Sequence, residues 1–179
     1  MKRSTFIGAG ALAIVAALGT KARGAVATVT NGQLVQYRAT DGTAYTSQTT
    51  LQSDDVLILP VQANRAYRVE AFLPFNLAGI VSGYKLGLSG PASPSNVAIS
   101  ARVDNAVTGL LALSAIATAL GLIIGGGLAS AGNHFAHFEG TFENGANVGS
   151  LTVQIAQSTT DGSAIKLLRG ARLVLTPLN

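Results

Sequence analysis

The sequence predicts an all-β domain, an antiparallel β-sandwich of jelly-roll-like form, and three observations carry that expectation. Alternation with a period of two is clearest where Tyr67, Val69, Ala71, Leu73 and Phe75 share one face while Arg68 and Glu70 take the other. That is the pattern of a half-buried antiparallel strand. Comparable runs recur with turn residues between them, at a spacing that fits seven or eight strands. The composition agrees: 11% charged residues and 21 glycines in 179 residues argue against both a helical bundle and a disordered tail.

The chain divides into an apolar N-terminal arm (1–24), a Gly/Ala/Thr/Asn linker (25–33) and a sandwich domain (34–179). In the arm a basic start precedes an uncharged run from Ser4 to Thr20, followed by Lys21 and Arg23. This layout fits a secretory signal, with Ala25, Val26 and Ala27 as small residues near a cleavage point. It also fits an uncleaved anchor, or an arm that docks on a neighbouring protein in an assembly. Val56 to Val61 reads as a short apolar strand, its Pro60 placing it at a sheet edge or a strand end. Strands are expected next over Ala66 to Phe75 and Tyr84 to Ser89, then a turn at Gly90-Pro91-Ala92-Ser93-Pro94, then Val97 to Val103.

Asn105 to Gly132 stands apart: 28 residues without a charge, including Leu110 to Ile124 and the triplet Gly125-Gly126-Gly127. By length it satisfies the rule for a membrane helix. It equally suits a buried helix, or two strands at a subunit interface followed by a glycine loop. A membrane span here would split the sandwich across a bilayer, so burial in the protein or a homo-oligomer is the expectation. Beyond it, His134 to Asn144 alternates, with Phe138, Gly140 and Phe142 opposite His137, Glu139, Thr141 and Glu143. Leu151 to Gln157 and Ile165 to Leu175 complete the set, the last kinked at Gly170. Asn144-Gly145 and Asp161-Gly162 mark reversals, the second read as a hairpin turn with positive φ.

The formal net charge is +4, yet Lys2, Arg3, Lys21 and Arg23 supply four positive charges before residue 25 and the rest of the chain balances. No basic cluster remains, so nucleic acid is not an expected partner. Cysteine is absent, which excludes disulfides and thiolate metal sites. Among residue types that carry chemistry, His134 and His137 point to opposite faces of one strand. His137 and Glu139 share a face but are too few for a metal site. Asp54-Asp55 diverge as strand neighbours and are read as ending a turn. The glycine triplet lacks the Lys-Ser/Thr of a phosphate loop, and Asp161 alone is thin support for calcium. Tyr37, Tyr45, Tyr67 and Tyr84 are the candidates for stacking on a sugar, Tyr67 being on the expected core face. No catalytic, cofactor-binding or metal residue is assigned.

The motif order Tyr37-Arg38-Ala39-Thr40-Asp41, Gly87-Leu88-Ser89-Gly90-Pro91-Ala92, His137-Phe138-Glu139-Gly140, Ala156-Gln157-Ser158-Thr159-Thr160-Asp161 and Leu168-Arg169-Gly170-Ala171-Arg172-Leu173 resembles a β-rich module of tailed-phage and prophage virion proteins. The similarity covers roughly Gln36 to Leu175; the apolar arm and the aliphatic stretch 105–132 depart from it. The resemblance implies a non-catalytic structural role as a capsid decoration, head-fibre or short tail component. The chain would self-associate, as a homotrimer, through apolar faces that include part of 105–132. Its arm would bind capsid or tail proteins, and host glycans are a possible contact that the sequence does not indicate. A membrane contact through 4–20 or 105–132 is not favoured. The competing expectation is an exported or membrane-anchored binding module of a bacterial envelope. Gln154 and Gln157 are expected to bond backbone groups and hold the fold.

Overall fold

The computed structural model describes residues 28–30, 32–105, 108–128 and 130–178. The N-terminal arm 1–24 lies outside the described residues. Every regular element among those residues is a strand: β1 (Thr28–Thr30), β2 (Gln33–Tyr37), β3 (Gln52–Val61), β4 (Ala66–Leu77), β5 (Tyr84–Ser89), β6 (Asn96–Asn105), β7 (Leu110–Ala117), β8 (Gly121–Gly126), β9 (Gly132–Glu143), β10 (Gly149–Ala156), β11 (Ile165–Leu167) and β12 (Arg172–Pro177).

The strands form two packed antiparallel sheets. The first runs β1-β2-β12-β4-β9-β6-β7, with β11 also on β4, and the second runs β3-β10-β5-β8. Chain order shows the winding: β2, β4, β9 and β12 belong to the first sheet and β3, β5, β8 and β10 to the second. The chain crosses between them at nearly every step, and this is the jelly roll. The β6–β7 hairpin is inserted between β5 and β8 and widens the first sheet beyond β9. Thr28–Thr30, inside the expected linker, pairs with Gln33–Val35 and so belongs to the domain.

The core lies between the sheets. Val69, Leu73 and Phe75 of β4, Ile99 and Val103 of β6 and Phe138 and Phe142 of β9 face Leu57, Leu59, Leu86, Leu88 and Val153 of the second sheet, all fully or almost fully buried. The expected alternation of β4, β6, β9 and β10 holds. Pro60 lies in β3, an edge strand, where its missing N–H breaks no ladder. Pro74 is in the interior of β4, which its type disfavours. It sits where β11 gives way to β12: the ladder on that side runs Phe75–Leu77 with β11 and Tyr67–Phe72 with β12. The Leu168 N–H reaches the Pro74 carbonyl there at 2.8 Å, so the absent N–H faces a break. Gly170, with φ +91, turns the chain at that break, at the position of the expected kink.

One open reading is decided and two expectations need correction. The stretch 105–132 takes the two-strand reading and is neither a buried helix nor a membrane helix. It forms β7 and β8, with Gly125 and Gly126 inside β8, and no helix of the described residues is long and apolar enough to cross a membrane. Asp161-Gly162 does not form a hairpin, and Gly162 has no positive φ. Residues 157–164 instead carry the chain from β10 in one sheet to β11 in the other. The strand count is twelve among the described residues, because β1, β7 and β8 add to the runs read by alternation and the last run is split in two.

Candidate functional site

Two regions of the surface are not explained by the fold alone: the outer face of the first sheet, and the side of the sandwich formed by β7 and β8. On the outer face, pairing registers place Tyr37, Arg172, Phe72, His137, Arg102 and Ser114 in one row across six strands. Phe72 stacks on Phe135 with ring centroids 5.5 Å apart, and the Arg172 guanidinium lies over the Phe72 ring at 5.8 Å. Beside the row, Arg68 pairs with both Glu70 (2.8 Å) and Glu139 (2.6 Å). A depression of about 350 Å³ opens between Gln33, Glu70, Phe72, His137 and Arg172. Flat rings beside cations can stack a planar or sugar ring and pair with an anion.

The histidines divide as alternation requires. His137 lies on the outer face, half-buried, between Phe72 and Arg102. His134, expected near the surface, is instead wholly buried, tilted against Phe75 with centroids 5.5 Å apart. Its Nε2 meets the Ser130 carbonyl at 3.1 Å. Burial pushes its pKa down, and the contact with Ser130 opposes this only in part. The two imidazoles cannot share an ion, and among the described residues no three His, Asp or Glu side chains are grouped to hold one.

The acidic pair Asp54-Asp55 has a different role from the turn ending expected. Both carboxylates reach one nitrogen, Arg38 Nη1, at 2.5 and 2.9 Å. Four residues of β3, 54–57, lie between the rungs Ser53↔Gln154 and Ile58↔Thr152, where β10 supplies only Val153. Asp54 stabilises that bulge by accepting the N–H groups of Val56 (2.9 Å) and Leu57 (2.7 Å). Because Arg38 follows β2 in the first sheet and Asp54 lies in β3 of the second, the pair ties the sheets together along one side. Asp41, nearby, takes Lys166 at 2.7 Å and the Arg169 N–H at 3.0 Å, which hold its carboxyl below the ordinary range.

Gln157 meets its expectation. Fully buried, it accepts from the Gln48 N–H and donates to the carbonyls of Asp161 and Ser163, organising the crossing loop. Gln154 reaches a side chain, Ser53 Oγ, at 3.4 Å, not the backbone. Of the four tyrosines only Tyr37 is well exposed. Tyr45 packs on the core, where burial and then the charge of Asp54 raise its pKa, and Tyr67 and Tyr84 lie inside. Tyr84, read as a sugar-stacking candidate, is therefore corrected to a core residue. Burial pushes its hydroxyl up to about 12, and that oxygen has no hydrogen-bond partner among the described residues. No local pattern in the sequence signals the outer-face row, because its members come from six strands and meet only through register.

On the side opposite Arg38–Asp54, β7 closes the first sheet and β8 the second. Leu111, Leu113, Ile116 and Leu122 are exposed there, Ile116 to 80%. Inward-facing Ala115 and Ala117 touch the core, while Ser114 and Ile116 face outward, opposite Arg102 and Ser100. Edge strands are ordinarily blunted by charge, proline, a bulge or cover. β7 has neither charge nor proline, and only a bulge between Leu111 and Leu113 interrupts it. In comparisons with known proteins, no family model matches the chain and no curated protein matches it.

Proposed function

We propose that the protein is a non-catalytic structural component of a phage particle, a capsid decoration or head-fibre subunit or a short tail component. It self-associates through its β-sandwich and attaches to capsid or tail proteins by its N-terminal arm. The observation that carries this reading is the uncharged edge formed by β7 and β8, where Leu111, Leu113, Ile116 and Leu122 are exposed, on a sandwich whose other side is tied by Arg38 and Asp54. The resemblance over Gln36 to Leu175 supplies the phage setting, and the jelly roll adds support by analogy, being an architecture used in viral capsid and lectin domains. Quantitative mass spectrometry of density-purified particles tests it. The chain should be present at a fixed ratio to the major capsid protein, and its absence from particles sinks the reading.

A second reading, a binding module of the bacterial envelope, is favoured by the outer-face row of Tyr37, Arg172, Phe72 and His137. It requires recovery in an envelope fraction from cells free of phage. It also requires that Arg172→Ala and Phe72→Ala reduce binding to host surface glycans while leaving the fold intact.

A further inference from the structure

The depression on the outer face of the first sheet has a floor and walls of different chemistry, and pairing registers fix which residue supplies each. Val35 of β2 and Val174 of β12 are directly opposite and form the floor, with Glu70 of β4 next on the same rung. One rung along, Arg172 and Phe72, continued by His137, make a wall. Gln33 bounds the other side, beyond Val35. The rungs of Arg172 and of Gln33 stand about 13 Å apart along the strands, room for one six-membered ring lying on the valines. A volume of about 350 Å³ is at the small end for a ligand pocket, which suits a single ring better than an extended chain.

Charge decides what kind of ring. Among the described residues, the strands of the first sheet carry Arg68, Arg102, Lys166 and Arg172 as their cations. Arg68 pairs with Glu70 and Glu139, Lys166 with Asp41, and Arg102 with Asp104 at 3.9 Å. Arg172 alone has no carboxylate partner among the described residues. The Phe72 ring holds it instead, so its guanidinium stands at the rim as an oriented, uncompensated cation. Two acceptors face the same space. Gln33 donates its amide N–H to Thr176 Oγ1 at 3.0 Å, which leaves its carbonyl oxygen free. Glu70 gives one carboxylate oxygen to Arg68 and has the other to offer.

We propose that this depression binds a monocarboxylated sugar ring. Its carboxylate lies on the Arg172 guanidinium, the C–H face of the ring on Val35 and Val174, and its hydroxyls on Glu70 and the Gln33 carbonyl. Guanidinium and carboxylate match in two parallel N–H···O bonds. A neutral sugar would leave Arg172 unpaired. A phosphate chain calls for several cations, and Glu70 repels a second negative charge. Acidic-sugar binding here rests on the glycan-binding reading above and narrows it to one class of sugar at one site.

Titration of the full-length chain with sodium glucuronate, glucose and acetate, followed by NMR, separates the ring from the charge. Glucuronate should bind with a Kd of about 1 mM, as expected of one small ring on an open face, and shift the Phe72, His137 and Val174 signals. Glucose, which lacks the carboxylate, and acetate, which lacks the ring, should each bind at least about tenfold more weakly. Arg172→Gln, its fold checked by circular dichroism, should bring glucuronate down to the level of glucose. Arg172→Lys keeps the charge without the two-pronged geometry and should fall between. Equal binding of glucuronate and glucose, an Arg172→Gln variant that still prefers glucuronate, or shifts confined to other surfaces overturns the proposal, as does the absence of saturable binding. If glucose equals glucuronate and Phe72→Ala weakens both, the glycan reading stands while the acidic sugar falls. If neither these sugars nor host glycans bind, both fall.

Discussion

Replacing Asp54 with alanine should destabilise the domain far more than replacing its neighbour Asp55. Asp54 and Arg38 are 5% and 4% exposed, and the Asp54 carboxylate also accepts the Val56 and Leu57 N–H groups. Removing one member of a buried ion pair costs about 3–5 kcal/mol, and each orphaned backbone donor about 1–3 kcal/mol. These costs do not simply add. Arg38 keeps the Thr40 and Asp41 carbonyls and the Asp55 carboxylate, and the bulge can relax. A loss of about 4–6 kcal/mol results, a large share of the roughly 5–15 kcal/mol that holds a typical domain together. Asp55 is 65% exposed, so Asp55→Ala should cost less than about 1 kcal/mol. Urea unfolding followed by circular dichroism measures both, provided the slope with denaturant is unchanged. A loss below about 2 kcal/mol for Asp54→Ala, or equal losses for the two variants, would refute the assignment of Asp54 as the support of the bulge and the tie between sheets.

Tyr84→Phe removes a buried hydroxyl without a partner. It should stabilise by about 1 kcal/mol, raising Tm by about 2–4 °C; a lower Tm would show the hydroxyl to be bonded. Gly140→Ala would drive a Cβ into the Ala98 carbonyl oxygen and put it 2.7 Å from Ile99 Cα, both backbone atoms of β6. A loss of at least about 3 kcal/mol is expected by denaturant titration. His134 has its folded-state pKa lowered by burial, so on acidification the unfolded chain takes up the proton first. Stability should be level above the unfolded histidine range near 6.5 and fall as pH drops through it. Melting curves across that range should show the fall, and His134→Gln, which keeps a donor for Ser130, should flatten it.

The strands readable in advance are those with one buried and one wet face. In β4 and β6 core residues alternate with outward positions that are mostly charged, polar or small, Phe72 apart, and the period of two survives in the sequence. β7 and β8 lack that contrast. At the open side Leu113 and Ile116 point to opposite faces and both remain exposed, so apolar residues on both faces imitate a buried helix. Residue type misleads at His134 and Tyr84, where polar groups are buried with few or no partners. It misleads again at Asp54-Asp55, because their partner Arg38 follows another strand in the other sheet. The outer-face row is hidden for the same reason: Tyr37, Arg172, Phe72 and His137 become neighbours only when β2, β12, β4 and β9 are set in register.

The strand order puts β1 and β7 at opposite margins of the first sheet, six strand spacings apart. The two margins are held differently: beside β2 the Arg38–Asp54 pair fastens the first sheet to β3, whereas β7 carries no charge and leaves Leu111, Leu113 and Ile116 exposed. Local opening should therefore start at the β7 margin, and amide exchange should be faster in β7 than in β2 and β3.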